Sequence, residues 1–226
     1  MLTCVWLAII TARAQTTAAI NIQASQPGAV ISSNLFGIFF EEINYGGEGG
    51  VYAELVRNRA FYDPTNALFW TLVTQGSAAG TMAVDATLPL NTNTPNALKL
   101  TMQSGTGSVG AGNSGFWGIA LQAGAIYDLN FYAAAANGFS RPISARLESA
   151  DGSSVYAQAV FSGLTANWQK YSAALVASGT DTNARLVLSI SNSGAIWLDE
   201  ISLFPHATFN HRTNGLRLVR CTIYWP

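Results

Sequence analysis

The chain has 226 residues, of which 49% are hydrophobic and only 10% are charged, and its formal net charge is −1. This length is enough for one large domain or two small ones, each with a substantial hydrophobic core. The sequence predicts no nucleic-acid partner, because no stretch forms the basic stripe that phosphate contacts require. The low charge, with polarity supplied mainly by Ser, Thr, Asn, Gln and Gly, is typical of a secreted, β-rich protein.

The first 14 residues have the features of a secretory signal peptide. Leu2–Ile10 forms an apolar core, and Ala12-Arg13-Ala14 gives the small-x-small pattern of a cleavage site before Gln15. No Lys or Arg precedes the apolar core, which departs from the usual pattern. We expect a secreted or periplasmic protein, the alternative being an uncleaved, disordered N-terminus. The apolar segment is too short to span a bilayer, so no membrane association is expected after signal cleavage.

Residues 19–63 are predicted to begin an α/β fold. Ala19–Ala24 alternates in polarity like a short strand. Leu35–Phe40 is apolar on both faces, which is typical of a parallel strand covered on both sides. The glycine-rich stretch Tyr45–Gly50 then predicts a turn.

The pattern becomes helical from Val51. Apolar residues recur at helical spacing and predict an amphipathic helix with a buried stripe formed by Val51, Tyr52, Leu55, Val56 and Phe61. The charged residues of the same stretch are expected to face water, namely Glu54, Arg57 and Arg59. Strand, turn and helix form the first unit of an α/β fold, and such a unit is not stable by itself.

Between residues 65 and 205 the sequence contains short runs of alternating polarity separated by turn residues, with no convincing helix. In residues 125–133, for example, Tyr127, Leu129 and Phe131 alternate with polar neighbours. Asp151-Gly152 is a strong hairpin signal between two such runs. About ten strands at regular spacing predict a mainly β fold, an antiparallel β-sandwich of the jelly-roll type.

Residues 206–226 return to a mixed pattern. Asn214–Arg217 suits the entry to a helix, but Leu218–Pro226 completes neither a helix nor a strand pair. We expect this part to be a truncated return to the α/β fold.

Glu41 and Glu42 follow the apolar strand Leu35–Phe40 and are candidates for chemistry. Glycosidases use two carboxyl groups about 5 to 9 Å apart on either side of the sugar. Neighbouring residues on a strand point to opposite faces, so Glu41 and Glu42 are not such a pair. At most one of them is a site residue, and the alternative is a structural ion pair with Arg57 or Arg59.

Aromatic side chains in the sandwich are candidates for stacking on sugar rings. Trp117, beside a glycine-rich loop, is the first candidate for a carbohydrate platform, and Trp70 is the second. The alternative for each tryptophan is packing in the core, which we favour for Trp168 and Trp197.

Asp199 lies on the final predicted strand and is the one candidate metal ligand. An oxygen cluster that includes Asp199 would suit a structural calcium ion, and a solvated charge is the alternative. His206 and His211 lack cysteine or acidic partners at ligand spacing, so we interpret them as surface residues.

Four blocks of sequence resemble glycoside hydrolase family 51, the α-L-arabinofuranosidases: residues 31–44, 49–61, 196–204 and 214–217. The resemblance implies a retaining enzyme built on a (β/α)8 barrel, with Leu35–Phe40 as the first barrel strand and a carbohydrate-binding-like sandwich inserted after the first strand–helix unit. The family counterpart of Glu41 hydrogen-bonds the arabinose, so the resemblance makes Glu41 a substrate-binding residue. The family usually has Asp where Glu42 stands.

No residue of the chain matches the catalytic acid/base or the nucleophile of the family, and residues 218–226 depart from the family pattern. We therefore expect an incomplete barrel, an N-terminal fragment that is inactive by itself. The implied full-length enzyme would release arabinofuranosyl groups from arabinan or arabinoxylan of plant cell walls and would need no cofactor. The competing hypotheses are a non-catalytic carbohydrate-binding module and a spacer sandwich that binds nothing.

Overall fold

The structure is a computed structural model that describes residues 52–208 continuously, together with residues 20, 25, 43, 45, 47, 49 and 50. The chain divides into two units, residues 1–40 and residues 41–226, and the fold described below belongs to the second. The predicted signal peptide, the strand Leu35–Phe40, Glu41, and residues 209–226 lie outside the described residues. In the described part of the chain, no helix is long and apolar enough to cross a bilayer.

Eleven strands make up the described fold. In chain order they are β1 (Trp70–Gly76), β2 (Ala79–Asp85), β3 (Ala97–Ser104), β4 (Gly107–Asn113), β5 (Ile119–Leu121), β6 (Ile126–Ala135), β7 (Ile143–Glu148), β8 (Val155–Phe161), β9 (Gln169–Val176), β10 (Asp181–Ile190) and β11 (Gly194–Pro205). Residues 52–208 contain no α-helix.

The strands form two antiparallel sheets. One sheet has the order β1-β4-β10-β7-β8, with β5 added beside β10, and the other has the order β2-β3-β11-β6-β9. The predicted antiparallel β-sandwich is therefore confirmed, as is the hairpin at Asp151-Gly152, which joins β7 to β8.

The core lies between the sheets and follows the alternation in the sequence. On β6, Tyr127, Leu129 and Phe131 are buried in the core, while the residues between them lie on the outer face of the five-stranded sheet. Phe131 packs edge-on against Phe161 of the opposite sheet, with the ring centroids 4.9 Å apart. Such offset aromatic contacts add to the stabilisation that burial of the rings provides.

The helix predicted from Val51 is wrong over its described part. Residues 52–61, called here the leading segment, contain no helical turn and follow β11 instead. The Leu55 amide donates to the Leu203 carbonyl over 3.0 Å, and the Ile201 amide donates to the Arg59 carbonyl over 3.2 Å. Leu55, Val56 and Phe61 are buried as expected, but by the sandwich rather than by a helical stripe, and Tyr52 is only half-buried.

Glu54, which was expected to face water, is fully buried and explains the extended backbone. Its Oε1 accepts from the amides of Leu55 and Val56, both over 3.0 Å, and from the Leu203 amide over 2.9 Å. Its Oε2 accepts from the Ser202 hydroxyl over 2.7 Å and lies 3.3 Å from Arg59 Nε. Side chains that bond the neighbouring backbone amides offer an alternative to the helical pattern, and Glu54 does so here.

Two opposing effects act on the carboxyl of Glu54. Burial raises its pKa, and the amide donors, Arg59 and the Ser202 hydroxyl oppose that rise. An ionised carboxylate is the form that all of these donors stabilise, so the donors are what make the burial of this charge tolerable.

We expect Glu54→Gln to lower the free energy of unfolding by about 3 kcal/mol, because the new amide nitrogen faces donors and leaves some of them unpaired. The matched control is Glu200→Gln, which removes a partly exposed carboxylate that pairs with the same arginine through Arg59 Nη2 over 3.2 Å. That partly exposed pair contributes about 1 kcal/mol or less. Urea unfolding of the two variants measures both effects, and equal losses would contradict the assigned role of Glu54.

Candidate functional site

A groove runs across the outer face of the five-stranded sheet, with a volume of about 950 Å³. We call it the sheet groove. Its floor consists of side chains from three adjacent strands: Asp128, Asn130 and Tyr132 of β6, Lys170 and Ser172 of β9, and Glu200 and Ser202 of β11. Strand pairing places these side chains in rows, because Tyr132 pairs with Lys170 while Asn130 pairs with both Ser172 and Ser202.

The sequence makes this floor polar by simple alternation. Because successive residues of a strand point to opposite faces, the burial of Leu129 and Phe131 in the core directs Asp128, Asn130 and Tyr132 into the groove. No comparable alternation continues through β11, where the pairing with β6 shifts between Asp199 and Ser202.

The shift in β11 is a bulge, and Glu200 lies in it with a left-handed φ of 48°. A bulge inserts an extra residue and re-aims the side chains around it. As a result Glu200 and Ser202 both line the groove, whereas Asp199 is fully buried. Left-handed backbone is unfavourable for a residue with a β-carbon, so the surrounding contacts must hold Glu200 in place.

The leading segment forms one wall of the groove. Arg59 lines it and bridges Glu54 and Glu200. Beside it, the rings of Tyr52 and Phe204 meet edge-on with centroids 5.2 Å apart. This wall therefore combines an ion pair with an aromatic surface.

The far end of the groove is formed by Leu90 and Asn91 in the loop between β2 and β3. Trp168 Nε1 donates to the Pro89 carbonyl over 3.1 Å and so ties this loop to the β9 side of the sheet. Core packing, favoured for Trp168 and Trp197, is wrong for both, because each is half-buried and outside the core cluster. Trp168 holds a loop, and Trp197 donates from its ring nitrogen to Asp85 over 3.0 Å.

The groove offers hydrogen-bonding groups of every kind: amide, hydroxyl, ammonium and carboxylate. One carboxylate, that of Asp128, is also 2.9 Å from Nδ1 of His206, which lies at the surface as the sequence predicts. Within residues 52–208 no three His, Cys, Asp or Glu side chains are grouped to hold a metal ion. Mixed donors and acceptors beside aromatic rings suit a ligand with many hydroxyl groups and apolar ring faces.

The two predicted tryptophan platforms differ. Trp117, in the loop between β4 and β5, is 66% exposed, and its role as a platform stays a prediction. Trp70 is only 5% exposed, packs on Phe61 and donates from Nε1 to the Asn58 carbonyl over 3.0 Å. Trp70 is a core residue, so the prediction that it forms a carbohydrate platform is wrong.

Asp199 is not a solvated charge, because it is fully buried. Its Oδ1 accepts from the Glu200 amide over 2.8 Å, and the buried Thr94 hydroxyl, which lowers the pKa of Asp199 as a hydrogen-bond donor, lies beside the carboxyl. Burial raises the pKa of Asp199 to about 7. A buried carboxylate beside a hydroxyl oxygen supplies ligands of the type that calcium prefers, and backbone carbonyls would supply the remaining ones. The calcium site at Asp199 stays a prediction.

Glu41 lies outside the described residues, so the structure assigns it no place relative to the groove. The groove residues themselves were not identified as a site from the sequence. The alternation of polar and apolar residues on β6 was visible, but the strands that flank β6 are distant in sequence.

Known proteins resemble the chain in sequence and in fold. Residues 53–194 match the family model described as a carbohydrate binding domain. An extracellular exo-α-L-arabinofuranosidase of Streptomyces chartreusis is 34% identical over 205 residues, which cover 89% of this chain and 24% of that protein. Alpha-L-arabinofuranosidase 1 of Arabidopsis thaliana is 32% identical over 227 residues, which cover 93% of this chain and 33% of that protein.

A solved structure of the arabinose-bound α-L-arabinofuranosidase MgGH51 is also similar. It has a TM-score of 0.69 and 31% sequence identity, covering 79% of this chain and 30% of that one. The chain thus spans between a quarter and a third of the length of these relatives.

We expect the raised pKa of Asp199 to make stability depend on pH. A group whose pKa is higher in the folded protein stabilises the fold fully at pH values below its unfolded pKa, here 3.8. This contribution is lost as the pH rises through the folded pKa of about 7. With a chelator present, the free energy of unfolding should fall between pH 4 and pH 8, and Asp199→Asn should reduce that fall. Burial also raises the pKa of Glu54, which makes stability fall with pH in the same direction. The difference in pH dependence between the wild type and Asp199→Asn therefore isolates Asp199.

The control is Asp151→Asn, because hydrogen bonds from Ser149 and Ser153 lower the pKa of Asp151 to about 2. This group stays ionised from pH 4 to pH 8 in the folded protein and leaves the slope nearly unchanged. Urea unfolding at several pH values gives the slopes, and an unaltered slope in Asp199→Asn would show that this carboxyl is not the titrating group.

A calcium ion bound to Asp199 should offset the stability that the fold loses when this carboxyl ionises. Above pH 7 millimolar calcium should then raise the melting temperature of the wild-type chain and leave that of Asp199→Asn unchanged, because the cation pairs with the ionised carboxylate. Melting curves in calcium and in chelator test this, and equal melting temperatures for the wild type would rule out the calcium site.

Proposed function

Since the chain belongs to the family of carbohydrate binding domains, we propose that its sandwich binds plant cell-wall polysaccharide in the sheet groove. The observation that carries the proposal is the polar and aromatic floor formed by β6, β9 and β11. Along β6 a groove-facing side chain recurs every two residues, or about 7 Å, so an extended polysaccharide meets successive polar groups.

The chemistry of the floor supports a sugar. Asn130 and Ser172 are neutral groups that both donate and accept, which is what vicinal hydroxyls need. Tyr132 and Tyr52 add ring surfaces against which the C–H groups of a sugar pack. Lys170, Asp128 and Glu200 supply charged partners, whose hydrogen bonds to hydroxyls are the stronger kind.

We further propose that the whole protein is an α-L-arabinofuranosidase that acts on arabinan or arabinoxylan outside the cell or in the periplasm. Support comes from relatives of that name, which match about nine-tenths of the chain and confirm the family resemblance of the sequence. In this proposal the sandwich is inserted in a (β/α)8 barrel, Glu41 holds the substrate, and the catalytic carboxyl pair lies in parts of the barrel that this sequence does not match.

We expect the purified 226-residue chain to be retarded in gels that contain arabinan or arabinoxylan. Asn130→Ala and Lys170→Ala should weaken binding about tenfold or more, because each leaves sugar hydroxyls without a partner. Lys99→Ala is the matched control: Lys99 lies on the same sheet, pairs with Asp85 and does not line the groove. Retardation unaffected by the groove variants would move the site elsewhere, and no retardation would favour the spacer sandwich.

The same preparation tests whether the 226-residue chain is inactive as a hydrolase. We expect it to release no chromophore from an aryl arabinofuranoside, because no residue of the chain matches the acid/base or the nucleophile of the family. Turnover by the purified chain would contradict this. Failure to bind arabinan or arabinoxylan would contradict only the proposal that the sheet groove binds polysaccharide.

A further inference from the structure

A second surface of the sandwich, separate from the sheet groove, presents aromatic rings around one arginine. It consists of Tyr45, Arg57, Phe69, Phe116 and Trp117, none of which lines the groove, and we call it the Trp117 surface. Trp117 is 66% exposed, Phe69 45% and Tyr45 37%. The Tyr45 ring lies 5.3 Å from Trp117 and 4.5 Å from the Arg57 guanidinium carbon, so all three groups share one small area.

The loop that carries Trp117 is held tightly to the fold. Gly115 and Gly118 have φ values of 66° and 93°, and a β-carbon at Gly115 would lie 2.6 Å from the Leu55 carbonyl oxygen. The Gly115 amide donates to Asn113 Oδ1 over 2.9 Å, and the Gly118 amide donates to the Ser114 carbonyl over 3.0 Å. A ring on such a support loses little conformational entropy when it binds, which favours a role in recognition.

Arg57 is a cation without a carboxylate partner among the described residues. Its guanidinium carbon lies 3.5 Å from the centroid of the Phe69 ring, and Nη2 donates to the Tyr45 hydroxyl over 2.7 Å. By contrast, Arg59 and Arg185 each form ion pairs with glutamate. Rings cover the faces of the Arg57 guanidinium, while its edge keeps further N–H donors for a ligand.

The guanidinium of Arg57 and the exposed ring of Trp117 favour a negatively charged sugar. A guanidinium presents a planar fork that matches a carboxylate, and their attraction is stronger beside apolar rings than in water. An exposed tryptophan next to it offers a flat apolar surface to a sugar ring. A neutral sugar offers the guanidinium only hydroxyl oxygens, whereas a sugar acid also offers an anionic carboxylate.

We propose that the Trp117 surface binds a uronosyl unit of an acidic polysaccharide, with its ring against Trp117 and its carboxylate on Arg57. The proposal goes beyond the sheet groove and does not depend on it. Uronosyl units occur in pectic chains and as side groups of xylans, and the shared chemistry is a pyranose ring that carries a carboxylate.

The test measures binding of three oligosaccharides to the 226-residue chain by calorimetry and tryptophan fluorescence. The probes are an oligogalacturonide, a xylo-oligosaccharide with glucuronosyl side groups, and the unsubstituted xylo-oligosaccharide of the same length. At 50 mM NaCl we expect at least one acidic probe to bind about tenfold or more tightly than the neutral one, and 500 mM NaCl should reduce this preference through screening. The acidic probe that binds more tightly identifies the source of the uronosyl unit.

Variants assign the preference to named groups. Arg57→Gln should reduce the preference for acidic probes to less than about twofold, Arg57→Lys should keep part of it, and Trp117→Ala should weaken binding of the acidic probes. Arg141→Gln, which neutralises an exposed arginine in the loop between β6 and β7, is the matched control and should leave the preference unchanged. Asn130→Ala in the groove should leave it unchanged as well.

Equal affinity for acidic and neutral probes overturns the inference, and so does a preference that survives Arg57→Gln. If Arg57→Gln lowers the melting temperature by more than a few degrees, the test uses Arg57→Lys and the salt titration instead. A preference for acidic probes that neither of these reduces also overturns the inference. Groove-dependent binding of neutral arabinoxylan without any acidic preference refutes this inference alone. Arg57-dependent binding of acidic probes without groove-dependent binding refutes only the proposal for the groove.

Discussion

The buried carboxylate of Glu54 is the constraint on which both surfaces of the sandwich depend. By accepting from the Leu203 amide and the Ser202 hydroxyl, it fixes the leading segment to β11. Arg59 is then directed into the sheet groove, where it pairs with Glu200, while Arg57 lies among the rings of the Trp117 surface. A second bond anchors the same segment, because Asn113 Nδ2 donates to the Arg57 carbonyl over 2.9 Å. One buried charge therefore places an arginine on each candidate binding surface.

The bulge of β11 is the second feature that stability and binding share. It buries Asp199, whose raised pKa reflects the cost of placing a carboxyl out of water, and it directs Glu200 into the groove at a left-handed φ. Strained backbone and buried ionisable groups are often found at functional sites. Here both lie where the leading segment, β11 and β6 meet, so substitutions chosen to test binding at the groove wall must be controlled for stability.

The sandwich was predictable because its signals are local. Alternation on β6 and the Asp151-Gly152 turn need only neighbouring residues to be understood. The helix from Val51 failed because apolar spacing alone does not reveal that Glu54 bonds Leu203, 149 positions away. The groove was missed for the same reason, since β6 lies between β9 and β11 only after the sheet has formed. The glycine-rich loop beside Trp117 favoured it over Trp70 as a platform, but only tertiary packing shows that the Trp70 ring is buried.

The most direct test of the account is a nuclear magnetic resonance titration of the isotopically labelled chain with an arabinoxylan oligosaccharide. Binding in the groove predicts that the largest amide shifts occur at Asn130, Lys170 and Ser172, on two of the three strands that form its floor. The Ser144 and Gln158 amides, on strands β7 and β8 of the other sheet, should not move. Shifts confined to the six-stranded sheet, or no shifts at saturating ligand, would contradict the assignment of the sheet groove as the carbohydrate site.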